Sequence, residues 1–430
     1  MTDRPSYGDL IRVFGRIGVL SFGGPAGQIA LMHRILIDER KWLDEARFLH
    51  ALNFCMLLPG PEAMQLATYA GWLLRGVAGG LIAGLLFVLP GAAVVTVLSA
   101  LYIALGGVPA VEGLLFGLKA AVLAVVLEAL LRISKRALKS GNALVIAIAA
   151  FAAIAFAGIP FPIIILMALV AGAFLLPPAP LKGATTKPLA SHRPTLASFL
   201  ATSAIWLAIW LCPLIGLAAL LGPQHVFAVE ARFFSIMATV TFGGAYAVLA
   251  YVAQQAVEVY GWLRPDEMLT GLGLAETTPG PLILVLVFVG FLAGAREAGL
   301  DPVAGGALGA LVTLWFTFTP CFMWIFAGAP YIETVRNVRW LSAALAGVTA
   351  AVVGVIANLA LWFGLHVLFG TIRELAFGPF GLPVPDTATF VPAAAVIALA
   401  AAVALLRYHA NLIAVLALAA LCGIATRLWA

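Results

Sequence analysis

The chain has 430 residues, of which 63% are hydrophobic and 10% charged, with 24 Lys and Arg against 19 Asp and Glu. An average soluble domain carries roughly 25% charged residues, so this composition excludes a water-soluble globular protein and points to an all-α integral membrane protein. The formal charge of +5 fits basic loops on one membrane face and not nucleic-acid binding.

Met1 to Asp9 is short and polar, and no short apolar core with a small-residue cleavage site follows it, so no signal peptide is expected. Hydrophobic elements come next at 8–35, 46–73, 77–104, 112–132, 143–158 and 162–177. Several are nearly free of charge and reach the about 20 apolar residues of a spanning helix. Residues 177–196 hold Pro177, Pro178, Pro180, Pro188 and Pro194 together with Lys182, Lys187 and Arg193, and read as a surface linker. One unmatched transmembrane helix follows at 197–221, and then elements at 228–255, 266–293, 303–328, 341–363, 390–406 and 409–428. The expected division is an N-terminal repeat over 1–177, a linker with its helix over 178–226, and a C-terminal repeat over 227–430.

The repeat is visible as an ungapped self-match at an offset of 220 residues. Phe22-Gly23-Gly24 pairs with Phe242-Gly243-Gly244, Trp42-Leu43 with Trp262-Leu263, and Pro59-Gly60-Pro61 with Pro279-Gly280-Pro281. Upstream, Arg12 pairs with Arg232 and Phe14 with Phe234. Chance similarity between apolar helices pairs Leu with Leu; it does not bring Gly-Gly, Trp and Pro-Gly-Pro into one register. Halves with an even number of crossings, joined by one extra helix, lie in opposite orientations, so inverted-topology repeats are expected.

Arg132, Lys135, Arg136 and Lys139 form the densest basic loop. With the linker's basic residues it is assigned to the cytoplasm, which puts the N-terminus there too. The first two elements of each half are interrupted near their middles, leaving arms of roughly 10 to 15 residues, short of a full span. Broken or re-entrant helices are expected there.

Proline lacks an N–H and suits a helix's first turn, while glycine permits turns closed to other residues. Gly-Gly-Pro and Pro-Gly-Pro inside apolar stretches therefore mark where one helix stops and another begins. Non-helical backbone at membrane depth is tolerated where it is buried or lines a wet cavity, and a helix starting there offers free N–H groups to an anion. Transporters with inverted repeats hold substrate at such breaks. The expected substrate-binding residues are Arg12, Ser21, Gly23, Gly24, Pro59, Gly60, Pro61 and Gln65 in the first half. In the second they are Arg232, Thr241, Gly243, Gly244, Thr277, Thr278, Pro279, Gly280 and Pro281. The arginines enter as paired donors to an oxyanion, with an interfacial, snorkelling arginine as the plainer reading. Glu62 and Glu276 flank the Pro-Gly-Pro motifs and are candidates for proton coupling or for partnering the arginines. Trp42 and Trp262 read as interface anchors.

No Walker A loop, HExxH, GxSxG or paired-cysteine motif is present. Neither an enzyme nor transport driven by ATP hydrolysis within this chain is expected, and no cofactor or metal is implied. Cys55, Cys212, Cys321 and Cys422 stand alone in apolar segments and read as lipid-facing or packed thiols.

Ser21-Phe22-Gly23-Gly24-Pro25, Glu39-Arg40-Lys41-Trp42-Leu43 and Leu58-Pro59-Gly60-Pro61-Glu62-Ala63 resemble the amino-terminal domain of the chromate ion transporter family. Thr241-Phe242-Gly243-Gly244, Trp262-Leu263 and Glu276-Thr277-Thr278-Pro279-Gly280-Pro281 resemble its carboxyl-terminal domain. The resemblance implies a two-domain secondary transporter that exports chromate across the bacterial inner membrane and confers chromate resistance. It carries over the Phe-Gly-Gly and Pro-Gly-Pro motifs as the family's sites, with Ala245 standing where the first half has Pro25. Expected partners are a chromate-like or sulfate-like oxyanion and the lipid bilayer, with a homodimer left open. The alternatives are a sulfate or related oxyanion importer and, from another class, a membrane-embedded enzyme or channel.

Overall fold

The computed structural model describes residues 5–177, 195–242, 244–331, 339–377 and 380–428. Most of the expected linker at 178–196, with Lys182, Lys187 and Arg193, lies outside them, as does Gly243. The protein is predominantly helical, and five helices are long and apolar enough to cross a membrane.

Local sequence sets the helix boundaries. Helix α1 (Tyr7–Leu20) is capped by Ser6, whose side chain accepts from the Asp9 amide. Helix α2 (Gly24–His33) runs into a π-helical turn at Arg34–Glu39, and α3 (Glu45–Cys55) is capped by Asp44. Helix α4 (Glu62–Leu105) is interrupted at Arg75 and Gly76, where Gly76 takes φ 63°. Helices α5 (Pro109–Ala137), α6 (Gly141–Ala155) and α7 (Phe161–Leu175) complete the first half, and α8 (Leu196–Leu221) follows. The second half holds α9 (Val226–Val240), α10 (Ala245–Ala253), a π-helical turn at Gln254–Val259, α11 (Pro265–Thr277) and α12 (Val285–Glu297). It ends with α13 (Pro302–Gly328), α14 (Arg339–Leu368), α15 (Pro392–Tyr408) and α16 (Leu412–Leu428).

The elements expected at 8–35, 46–73, 228–255 and 266–293 are thus each two helices, because the chain turns at the Phe-Gly-Gly or Pro-Gly-Pro interruption. Both halves carry a π-helical turn at the same register, and the residue two places after each has positive φ: Lys41 at 53° and Gly261 at 67°. The all-helical expectation needs one correction. Antiparallel strands β1 (Ile372–Phe377) and β2 (Phe380–Pro385) form a hairpin after α14. Its strands are short, β1 lacks a strict apolar-polar alternation and β2 carries one glycine and two prolines, so no pattern announces them.

The chain forms two compact units, each drawing on both sequence halves. The first contains 1–99, 179–245 and 278–339; the second contains 100–178, 246–277 and 340–430. In the first, α13 packs against α12, α9 and α8. Gly290 and Gly294 face Gly309 and Gly305 there, so backbones meet without intervening side chains, as close helix pairs in membranes require. Helix α8 is nearly all exposed, and an apolar helix in that state faces lipid. In the second unit, α5 packs against α16, α15 and α11, with Gly113 and Gly117 set against Gly423. Trp262, expected at an interface, is instead 2% exposed and stacked on Tyr260, with ring centroids 4.5 Å apart.

Candidate functional site

Both Pro-Gly-Pro segments, Ser21 to Gly24 and Thr241 to Gly244 belong to the first compact unit. Each Phe-Gly-Gly break is prepared by a hydroxyl. Ser21 Oγ donates to Ile17 O at 2.6 Å and Thr241 Oγ1 donates to Met237 O at 2.6 Å, so each closes the last turn of its helix. Gly23, Gly24 and Gly244 then take φ of 84°, 71° and 99°, where a side chain is strained. Gly60 and Gly280 do the same within Pro-Gly-Pro, at 117° and 95°.

The two halves trade hydrogen bonds at these breaks. The Gly60 amide donates to Thr241 O at 2.7 Å, and the Gly280 amide donates to Ser21 O at 2.8 Å. Donors and acceptors are both repeat-equivalent, so each Pro-Gly-Pro is tied to the Phe-Gly-Gly break of the other half. The long helices repeat the exchange: Gly91, after Pro90 in α4, packs on Pro279 and Gly280, while Cys321, after Pro320 in α13, packs on Gly60.

One glutamine stands at each pairing. Gln65 Nε2 donates to Pro59 O at 2.6 Å, and Gln28 Nε2 donates to Gly280 O at 2.7 Å. Both are fully buried, and their Oε1 atoms have no hydrogen-bond partner among the described residues. The positions equivalent to them are Val248 and Val285, so the polar side chains come from the first half. Sequence reasoning missed Gln28; its signal is a lone amide in an apolar arm four residues past the glycine pair.

The junction is rich in helix starts. Helix α2 begins at Gly24 with no side-chain cap, and α4 begins at Glu62 directly after Pro61. The first amides of a helix have no intrahelical partner, and they carry the positive end of the dipole. The amides of Gly60 and Gly280 are already engaged, so the donors left for an anion are those of the helix starts.

Other expected residues are placed elsewhere. Arg12 and Arg232 are not brought to the breaks: both are exposed, and Arg12 pairs with Asp9 at 3.6 Å. Their offset match reflects two outward helix faces, the snorkelling reading. Glu62 is half-buried beside the first break. Glu276 belongs to the second unit, where it is buried and accepts from the Tyr246 hydroxyl near the Arg132–Glu128 ion pair. Thr277 Oγ1 donates to Leu274 O at 2.8 Å, while Thr278, in the first unit, is buried. Cys55 and Cys321 are buried, whereas Cys212 and Cys422 are exposed. Among the described residues, no group of three or more His, Cys, Asp or Glu is positioned for a metal ion.

Comparison with known proteins gives a consistent answer. A family described as chromate transporter matches residues 8–173 and 230–424, one match to each half. A chromate transport protein of Pseudomonas aeruginosa is 34% identical over 82% of this chain and 79% of its own length. A chromate transport protein of Cupriavidus metallidurans is 28% identical over 82% of this chain and 81% of its length. A probable chromate transport protein of Synechococcus elongatus is 27% identical over 91% of this chain and 95% of its length. No solved structure matches the chain.

Proposed function

Because this multi-pass membrane protein belongs to the chromate transporter family, we propose that it is a secondary transporter that exports chromate across the bacterial inner membrane, with an N-terminus in the cytoplasm. Substrate sits at the junction of the four breaks in the first compact unit. The observation that carries this reading is the reciprocal pair of bonds, Gly60 to Thr241 and Gly280 to Ser21.

The exchange supports a twofold relation between the repeats, and the even number of crossings in each half, with one extra helix between them, makes that relation an inversion. Two equivalent segments related by a twofold axis make each contact twice, with donor and acceptor roles swapped, which is the pattern of these two bonds. It also supports a site that is built and buried: four interruptions that would each leave unsatisfied backbone at membrane depth satisfy one another instead.

Chromate is a tetrahedral dianion. The uncapped start of α2 and the start of α4 direct amides and partial positive charge at it. Gln28 and Gln65 each spend one Nε2 hydrogen on a carbonyl and can turn the second toward an oxygen of the anion. Neutral donors of this kind hold an anion firmly enough to select it and loosely enough to release it.

Radiolabelled chromate and sulfate flux into inverted vesicles tests the proposal. Saturable chromate uptake that falls in a Gln28→Leu, Gln65→Leu double variant is expected. Preferential sulfate flux would make this an importer or exporter of sulfate, and no saturable flux of either anion would end the transport reading.

A further inference from the structure

Glu230 lies in the second turn of α9 within Ala228-Val229-Glu230-Ala231. It is 0% exposed, and neither carboxyl oxygen has a hydrogen-bond partner among the described residues. Thr313 on α13 is 1% exposed with its Oγ1 equally unpartnered. The glycines between them locate the junction. A methyl group on Gly309 would lie 3.1 Å from Glu230 Oε1 and 3.0 Å from the Gly290 carbonyl carbon, and one on Gly290 would lie 3.1 Å from Thr313 Cβ. Carboxyl, hydroxyl and two glycine backbones therefore meet where α9, α12 and α13 cross, inside the first unit.

Among the described residues, no cation is shown paired with Glu230. Helix α8 carries no Asp, Glu, Lys, Arg or His, and α13 offers the Thr313 hydroxyl. The charges of α12 stand at its end, Arg296 and Glu297, and it is the like-charged Glu297 whose field reaches Glu230. On α9 itself, Arg232 is exposed and His225 caps the start of the helix. A bare carboxylate sealed from water without a hydrogen bond is among the least tolerable arrangements in a protein, and an ionisable group in a membrane protein's interior marks an ion or proton path. A metal ion would need several oxygen ligands around it, which a closed, glycine-lined crossing leaves no room for.

We propose that Glu230 is the carboxyl on which this transporter carries its coupling proton. An O–H bond forms at Glu230 when the crossing of α9, α12 and α13 opens to water on one side, and the proton is returned to water when it opens on the other. In the closed state the neutral acid crosses with no charge. The Thr313 hydroxyl is the polar neighbour that receives the acid as the crossing reopens.

The inference rests on the transport reading, so its test has a readout independent of flux. Infrared difference spectra of the purified protein are expected to show the carbonyl band of a buried, protonated carboxyl that is lost in Glu230→Gln. A wild-type protein without the band, or a band that survives in the variant, overturns the proposal whatever the protein carries. In proteoliposomes at clamped voltage, one coupled proton changes wild-type accumulation of radiolabelled chromate about tenfold per pH unit of imposed gradient. Glu230→Gln is expected not to respond. A variant that follows the pH gradient as wild type does, or a wild-type protein driven instead by a sodium gradient, refutes the assignment. Absent chromate flux in wild type with the band intact counts against the substrate, not against Glu230.

Discussion

Substituting Gly91 by alanine adds one methyl group where α4 meets the second Pro-Gly-Pro. That methyl would overlap the Pro279 carbonyl oxygen, lie 2.6 Å from Leu284 Cδ1 and stand 3.0 Å from the Pro279 carbonyl carbon. Carbon atoms rest at about 3.5–4.0 Å, so the break must retreat by about 0.5–1 Å. The neighbouring Gly280 amide bond to Ser21 O, now 2.8 Å, would then stretch past the about 3.2 Å limit of a good N–H···O bond. Overpacking costs about 1–3 kcal/mol and an orphaned buried amide about 1–3 kcal/mol, offset by about 1 kcal/mol for alanine's preference for helix over glycine. The net is about 1–5 kcal/mol against the present arrangement of the break, a loss of about 5- to 4,000-fold in the population holding it. Gly216→Ala in α8 is the matched control, since a methyl there meets nothing within 4 Å. Chromate flux per folded molecule, with folded protein counted by size-exclusion fluorescence, should fall in Gly91→Ala and stay near wild type in Gly216→Ala. Equal flux in the two variants would refute the claim that the position of the break matters.

Cys321 should report occupancy of the site, because it packs on Gly60. With Cys55, Cys212 and Cys422 replaced by serine, maleimide labelling of Cys321 should slow when the carried anion is added, and chromate and sulfate run side by side identify that anion. A rate indifferent to both argues against a site at Gly60. In the second unit, Tyr246→Phe removes the hydroxyl that donates to buried Glu276 and should cost about 1–3 kcal/mol, read as a lower Tm in detergent. Gly117→Ala drives a methyl into the Ala419 carbonyl where α5 crosses α16 and should cost about 1–3 kcal/mol, with lower yield of folded protein. Arg12→Gln and Arg232→Gln alter exposed side chains and should leave the apparent affinity for chromate within about twofold, since surface substitutions away from built features shift free energy by about 0.5 kcal/mol or less.

The helix breaks were legible because glycine and proline act locally. Gly23-Gly24-Pro25 and Pro59-Gly60-Pro61 end helices whatever surrounds them, and the offset of 220 residues showed that each break occurs twice. What the breaks bond to was not legible, since Gly60 and Thr241 lie far apart in the chain and no local pattern couples them. The same distance hid the composition of the compact units, in which 246–277 and 340–430 group with 100–178 of the other half. The exposure of Arg12 and Arg232 was not legible, because an offset match records the relation between two positions, whereas exposure depends on what packs against that face. Trp262 misled for the converse reason, a residue read as amphipathic that Tyr260 and the interior enclose. Glu230 gave a clear signal, one carboxyl in an apolar helix, which the search for repeat-related motifs passed over because its equivalent, Leu10, is apolar.

The traded bonds also make each half depend on the other. A chain of a single unit would own a Pro-Gly-Pro donor and a Phe-Gly-Gly acceptor, yet here neither meets its own half. A half-length chain would therefore need a second copy to complete either bond, and a single fused chain supplies both copies in fixed proportion. The two copies are not interchangeable there, since one carries two glutamines where valine fills both places in the other.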